Sequence, residues 1–208
     1  MKAELIDEGL YRILVPFEAG ITTTVYVVIC AEAVVIIDSA SYPTDASNYI
    51  LPALLELGIM PSRDAILILT HSHSDHAGGA AALLNEMPNL KPRAAFRVEH
   101  PEFSYLADGE IVGDRLLTLM LPGHTENSIA LFDMKTKTLL SADCLQLKGI
   151  GKYRNGIAFP TLYRKSIERL KRIDVHRIVA AHEYDPLGSI AEGKAEVLKY
   201  LDECLKDY

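Results

Sequence analysis

The run of ten residues from Thr70 to Gly79 places three histidines and one aspartate within six positions. It follows AILIL at 65–69, an apolar stretch typical of a buried strand, and precedes an Ala- and Leu-rich stretch typical of a helix. Loops at the carboxyl ends of strands are where open α/β sheets carry their functional groups. The run therefore predicts a strand–loop–helix unit with its polar side chains at the end of the strand.

The residue types in this run favour metal binding, because imidazole and carboxylate groups are good ligands for zinc, iron or manganese. Side chains at positions i and i+2 of an extended segment point to the same side, so His71 and His73 are expected to converge on one ion. Asp75 and His76 are redirected as the chain turns into the helix and would serve a second ion. A solvated helix start with Ser74 or Asp75 as its N-cap is the alternative.

Three further candidate ligands, His124, Asp143 and His182, each directly follow an apolar run that predicts a strand. Such repeated placement is not expected of polar residues scattered over a surface. The preceding runs cover residues 115–121, 138–142 and 176–181.

The other elements predict a mixed α+β architecture. The β-branched runs at 24–30 and 33–38 are separated by two residues, which is typical of a hairpin. Helical spacing marks residues 46–58, with Pro52 at a kink or in the first turn, and a final helix that includes Ile190 and Leu205. Hairpins interspersed with helices favour two mixed sheets covered by outer helices. A chain of 208 residues without a linker is expected to form one domain, 1–208.

Composition narrows the choice of partners and compartment. A net charge of −7 disfavours nucleic acids, whose binding depends on Lys and Arg neutralising phosphates. The apolar runs are too short to span a bilayer, so no membrane association is expected. Three widely spaced cysteines and an acidic N-terminus without an apolar segment favour a cytoplasmic protein. Both a monomer and a homodimer are compatible with the sequence.

The order of these motifs resembles the metallo-β-lactamase-fold superfamily. HSHSDH, then Pro-Gly-His-Thr, then an aspartate after a strand and a late histidine follow one another in that family's order, and Asp38 in Ile-Ile-Asp-Ser matches its first short motif. The resemblance implies an αββα sandwich of two mixed β-sheets flanked by helices, with a metal site at one edge. It also implies that Asp38 is not itself a metal ligand but orients a histidine that is one.

Carried over position by position, the resemblance implies two divalent metal ions, with zinc expected first and iron or manganese as alternatives. The implied ligands are His71, His73 and His124 for the first ion, Asp75, His76 and His182 for the second, and Asp143 bridging both.

The implied reaction is hydrolysis of a thioester, ester or lactone-type bond in a small molecule. The sequence has no G-x-S-x-G elbow to supply a serine nucleophile. A hydroxide bridging two metals is expected instead, because metal binding lowers the pKa of water from about 15.7 to ~7. Asp75 would orient that hydroxide or handle its proton. The histidine at position 73 and the aspartate at position 143 make the chain resemble the dinuclear hydrolase branch of the superfamily.

Within the superfamily, the late motifs resemble the glyoxalase II (hydroxyacylglutathione hydrolase) branch. Tyr184, in His-Glu-Tyr, and Lys152 match positions that contact glutathione in that branch, whereas Arg154 stands where it has a tyrosine. Too few residues follow His182 for that branch's helical C-terminal domain, so the chain is expected to lack it. The substrate is therefore expected to be a small molecule related to that of glyoxalase II, and the sequence does not determine its acyl or thiol group.

Three alternatives remain at this stage. A persulfide dioxygenase-like oxidoreductase would hold one iron through residues matching His71, His124 and Asp143. A nuclease is disfavoured by the acidic charge, and a non-catalytic relative is disfavoured by the complete set of candidate ligands. Metal stoichiometry would distinguish one iron from two ions per chain.

Overall fold

The computed structural model describes residues 2–18, 20–147, 156–183 and 188–206. The chain divides into two compact units. The first comprises Met1–Leu106 and Ile111–Arg115, and the second comprises Ala107–Glu110 and Leu116–Tyr208. The expectation of one domain over 1–208 stays a prediction. Among the described residues, no helix combines the length and apolar character that crossing a bilayer requires.

The first unit is built on a seven-stranded mixed sheet whose strands lie in chain order, β1 to β7. Strands β1 to β4 pair antiparallel, and β4 to β7 pair parallel. The parallel part arises because helices connect β4 to β5 and β5 to β6. The strands of this unit are β1 Glu4–Asp7, β2 Leu10–Pro16, β3 Thr22–Ile29, β4 Val34–Ile37, β5 Ala65–Leu69, β6 Leu90–Ala94, β7 Ser104–Tyr105 and the short β8 Ile111–Val112.

The helix predicted over 46–58 forms with a change of geometry in its middle. Pro52 lies in the first turn of α2 and has no N–H to offer the carbonyl four residues earlier. The chain adopts a π-helical turn over Ala46–Ile50, directly before that point. The helices of the first unit are α1 Pro43–Asp45, α2 Leu51–Glu56, α3 Ser74–Ala77 and α4 Ala80–Glu86.

The second unit carries its own mixed sheet, in which the strands lie in the order β13-β12-β11-β10-β9. Strands β11 and β12 pair parallel, and the other neighbours pair antiparallel. The elements of this unit are β9 Leu116–Met120, β10 Ile129–Asp133, β11 Thr138–Ala142, α5 Pro160–Leu170, β12 Arg177–Ala180, β13 Ile190–Glu192 and α6 Lys194–Cys204.

One boundary differs from the sequence prediction. Ile190 was expected at the start of the final helix, but it opens β13 and pairs with Val179. Gly193, with φ of 87°, separates that strand from α6. Apolar spacing alone could not reveal this break, because a three-residue strand has too few positions to show a period.

The sequence prediction of two mixed sheets with accompanying helices is confirmed. Strands β3, β4 and β5 correspond to the predicted runs at 24–30, 33–38 and 65–69. Each unit has its own buried apolar cluster. In the first unit Ile36 and Leu67 belong to that cluster, and in the second Leu139 and Ile178 do. The strands that precede the candidate ligands are therefore anchored in packed cores.

The backbone of the loop after β4 packs directly against the backbone at the start of α4. Gly78 and Gly79 both donate their backbone N–H to the carbonyl of Ala40. A Cβ on Gly78 would lie well inside 3.0 Å of the Ser41 carbonyl oxygen, and one on Gly79 equally close to that of Ser39. Both positions therefore require glycine, because the close approach of the two backbone segments leaves no room for a Cβ atom.

We expect Gly78→Ala to lower the free energy of unfolding by about 1–3 kcal/mol, because the added methyl group forces the two backbone segments apart. Urea denaturation measures this loss. Ser72→Ala, at an exposed position of the segment that follows β5, is the control and should stay within about 0.5 kcal/mol of the wild type. An equal stability of the two variants would contradict the close approach.

Candidate functional site

In the first unit, the candidate groups lie at the carboxyl ends of two neighbouring parallel strands. Asp38 directly follows β4, which ends at Ile37, and Thr70 directly follows β5, which ends at Leu69. Parallel neighbours end at the same edge of a sheet, so Asp38 meets the residues after β5 without a long loop. The Asp38 backbone has φ of 65°, a left-handed conformation that aspartate tolerates better than most residues.

The carboxylate of Asp38 is fully buried and accepts hydrogen bonds from the segment that follows β5. Oδ1 accepts the backbone N–H of Thr70 at 2.8 Å, and Oδ2 accepts the Thr70 hydroxyl at 2.9 Å. Oδ2 also lies 2.7 Å from Nδ1 of His76. These contacts are what a buried carboxylate requires, since an ionised carboxylate without donors would be strongly unfavourable.

These contacts also assign the tautomers of two imidazoles. An ionised carboxylate can only accept, so Nδ1 of His76 carries the proton and donates it to Asp38. The Thr70 hydroxyl uses its one proton toward Asp38, so it accepts from Nδ1 of His71 at 3.1 Å. In both rings Nε2 is left as the unprotonated nitrogen, which is the form that ligates a metal.

The other two candidates of this segment lie beside those rings. The ring centroids of His71 and His73 are 4.8 Å apart, and those of His71 and His76 are 4.2 Å apart. Asp75 Oδ2 lies 3.6 Å from Nε2 of His76. His71 and His76 are buried, Asp75 is partly buried and His73 is exposed. The structure thus brings together all five sequence-predicted residues of this unit.

In the second unit, the candidate ligands also follow strand ends. Asp143 comes after β11 and His182 after β12, its parallel neighbour, while His124 comes after β9. Oδ2 of Asp143 lies 3.4 Å from Nε2 of His124, and Oδ1 lies 3.4 Å from Nε2 of His182. All three side chains are buried. Each carboxylate oxygen therefore faces a different imidazole, as the sequence-predicted bridging role of Asp143 would require.

Two residues that sequence reasoning did not assign to the site also lie here. The Gln146 carboxamide nitrogen is 3.2 Å from Oδ2 of Asp143 and 3.1 Å from Nδ1 of His124. The Tyr163 hydroxyl bonds the backbone of Gln146. No motif surrounds Gln146, and the spacing of Tyr163 is that of one apolar residue in a helix stripe. Neither residue could therefore be assigned to the site from the sequence.

The remaining predicted site residues, Lys152 and Tyr184, lie outside the described residues. Next to Tyr184, Glu183 accepts hydrogen bonds from the backbone N–H and hydroxyl of Ser189, the residue directly before β13.

Cys204 offers no activated thiolate in place of a metal-activated nucleophile. All three cysteines are buried and reduced. Burial raises the pKa of the Cys204 thiol to about 12, which keeps it neutral at physiological pH.

The donor set of each unit fits a borderline divalent metal. Buried imidazoles present Nε2 close to carboxylate oxygens, and these are ligand types that zinc, iron and manganese share. The hydrogen bonds on Nδ1 of His71 and His76 are the outer contacts that orient metal-binding histidines. The residues present therefore fit the metals that the motif order implies.

Comparison with known proteins agrees with the motif order. Residues 19–95 match the metallo-β-lactamase superfamily. The chain contains a metallo-β-lactamase superfamily domain. The resemblance to the superfamily that the sequence motifs indicated is confirmed.

Several relatives of this metallo-β-lactamase domain are hydroxyacylglutathione hydrolases. The chain is 29% identical over 167 residues to the enzyme of Prochlorococcus marinus and 31% identical over 159 residues to that of Pectobacterium atrosepticum. Each alignment covers 74% of this chain, but only 61% and 59% of the respective relative. The chain thus spans little more than half the length of these relatives.

Solved structures confirm the predicted metallo-β-lactamase fold. A metallo-β-lactamase from Erythrobacter litoralis has a TM-score of 0.73 at 17% identity, covering 97% of this chain and 95% of that one. The flavodiiron protein of Giardia intestinalis has a TM-score of 0.77 at 17% identity, covering 100% of this chain and 60% of that one. These similarities concern the fold.

We expect Asp38→Asn to disturb the tautomers of His76 and, through Thr70, of His71, because the amide group can present a donor where His76 and the Thr70 hydroxyl both require an acceptor. Nitrogen-15 NMR of the imidazole rings in metal-free protein measures this directly. The free energy of unfolding should also fall by about 1.5–3 kcal/mol, the contribution of a hydrogen bond to a charged group.

Asp45→Asn is the matched control for this substitution. Asp45 is likewise buried, and its carboxylate accepts the backbone N–H groups of Ser41 and Tyr42. This variant should lose stability and keep the wild-type ring tautomers. Unchanged tautomers in Asp38→Asn would disprove the assignment.

Proposed function

We propose that this metallo-β-lactamase domain is a metal-dependent hydrolase that cleaves a thioester, ester or lactone-type bond of a small molecule. The observation that carries the proposal is the geometry of Asp143, whose two carboxylate oxygens each lie 3.4 Å from Nε2 of a different buried histidine. The hydroxyacylglutathione hydrolases among the relatives support a thioester as the first substrate class to test.

We assign the metal ligands as the sequence motifs imply. A metal ion held by such groups supplies a hydroxide nucleophile at neutral pH and polarises the oxygen of the bond under attack. The proposed ligands are His71, His73 and His124 for one ion, Asp75, His76 and His182 for the other, and Asp143 for both, with zinc as the expected metal.

The protein's own residues then have distinct tasks. Asp38 holds His76 directly and His71 through Thr70, so that both rings keep Nε2 unprotonated. Asp75 is the partly buried carboxylate beside His76, and we assign it to orienting the nucleophile and accepting its proton. Lys152 and Tyr184 are proposed to contact the substrate, on the sequence match alone. A cytoplasmic location belongs to the same proposal and is supported by the reduced cysteines.

We expect His73→Ala and Asp143→Ala to abolish hydrolysis and to lower the metal content of the purified protein, because each removes a ligand. Elemental analysis and a thioesterase assay measure the two effects on the same sample. The control is His100→Ala, which removes an exposed histidine outside the proposed ligand set and should change neither.

Metal counting on the wild type separates the hydrolase from its main rival. About two ions per chain support the dinuclear hydrolase, whereas one iron per chain with oxygen consumption on glutathione persulfide supports a dioxygenase. Full turnover by a metal-replete His73→Ala variant would contradict the proposed mechanism.

We expect a panel of thioesters, lactones and phosphodiesters, assayed with known metal content, to show hydrolysis in the first two classes. If S-lactoylglutathione is cleaved, Lys152→Ala should raise KM for it and leave kcat nearly unchanged, because a contact made equally in the ground and transition states affects binding only. Lys165→Ala, an exposed lysine on α5, is the control. Hydrolysis of phosphodiesters alone would reject the substrate class.

A further inference from the structure

We propose that Gln146 is a positioning residue for the metal ligand Asp143, beside His124, and that Tyr163 holds Gln146 in place. This inference rests on the proposed metal-dependent function. It concerns a contact made entirely within the second unit. A carboxamide three residues after the carboxylate it supports is not part of any motif that the sequence revealed.

The position of the Gln146 side chain suits this role. The residue is only 6% exposed, and its carboxamide nitrogen reaches both Oδ2 of Asp143 and Nδ1 of His124. On its other side, the backbone of Gly156 lies directly against the carboxamide, since a Cβ at position 156 would lie well inside 3.0 Å of the Gln146 Oε1 atom. The carboxamide is therefore enclosed between the two candidate ligands and a backbone segment.

The donor and acceptor chemistry assigns each hydrogen bond in this group. The Gly156 carbonyl oxygen lies against Nδ1 of His124 and can only accept, so Nδ1 of that ring carries the proton. The Gln146 amide group donates to Oδ2 of Asp143, which can only accept. Its nitrogen lies 3.1 Å from Nδ1 of His124 without a hydrogen bond to it, because both atoms are donors. Nε2 of His124 is left unprotonated and faces the same Oδ2 atom at 3.4 Å.

Tyr163, which is fully buried on α5, secures the backbone that carries Gln146. Its hydroxyl donates to the Gln146 carbonyl at 2.9 Å and accepts the Gln146 N–H at 3.0 Å. The same tyrosine packs on the residue before His124, because a Cβ at Gly123 would lie 2.7 Å from that of Tyr163. Phe159, at the start of α5, also donates its N–H to the Gly123 carbonyl.

Helix α5 thus holds the segments that carry Asp143 and His124 through one buried side chain. Ser166, one turn further along α5, donates its hydroxyl to the carbonyl of Pro122, which extends the attachment of the His124 loop. A ligand carboxylate that is oriented in this way does not need to be reoriented when a metal binds. Loss of such an outer contact typically lowers metal affinity 10–100-fold.

The test compares Gln146→Met and Tyr163→Phe with the wild type. Methionine keeps the length of the side chain and removes the donor, and phenylalanine keeps the ring and removes the hydroxyl. Tyr200→Phe is the matched control, because Tyr200 is an equally buried tyrosine of the same unit whose hydroxyl bonds the Gly188 carbonyl. Zn²⁺ affinity is measured by competition with a chromophoric chelator, the Co²⁺ absorption spectrum reports ligand geometry, and the Tm of the metal-free protein reports stability.

We expect Gln146→Met to bind Zn²⁺ 10–100-fold more weakly than the wild type and to alter the Co²⁺ spectrum. Tyr163→Phe should shift both readouts in the same direction, and Tyr200→Phe should lower only Tm. Should Gln146→Met fail to fold, Tyr163→Phe decides, since it leaves the carboxamide in place.

Two results would overturn the inference in distinguishable ways. A wild-type protein that binds no metal rejects the proposed function and this inference together. A wild type that binds metal tightly, with Gln146→Met or the deciding Tyr163→Phe within about twofold of it and an unchanged Co²⁺ spectrum, rejects the positioning role alone.

Discussion

The buried carboxylate of Asp38 determines the direction of the hydrogen bonds around it. Because an ionised carboxylate accepts and never donates, Thr70 must give it a proton, and His76 must give it another. Thr70 can then only accept from His71. One acidic group at the end of β4 thereby fixes the proton positions on two imidazoles, and the metal chemistry proposed for this domain depends on that arrangement.

The second unit reaches the same chemical result by different means. There the acceptor beside Nδ1 of His124 is the Gly156 backbone carbonyl, and Gln146 supplies the donor that Asp143 requires. In both units the groups around the candidate ligands are buried, so each donor needs an acceptor within the protein. Four candidate ligands, His71, His76, His124 and Asp143, are therefore held by their neighbours before any ion binds, which is the arrangement that outer contacts provide in metal proteins.

Much of the architecture follows from local patterns. The strands before the candidate ligands are short apolar runs that end at polar residues, so β5, β11 and β12 and the groups that follow them were predictable. The start of α6 was not, because β13 is too short to show a period and Ile190 serves a strand as well as a helix. The π-helical turn before Pro52 likewise depends on hydrogen bonds that spacing does not reveal.

The amino-acid order alone indicates which residues could ligate a metal and in what order they occur along the chain. It also indicates which superfamily the chain resembles. Both follow from the sequence because ligand chemistry and strand ends are local properties of the chain. The hydrogen-bond partners of these residues are decided only by the tertiary structure. Asp38 and His76 are 38 positions apart, and Gly156 and His124 are 32 apart. Contacts across such distances exist only once parallel strands end side by side and a helix such as α5 packs against the loops that follow them.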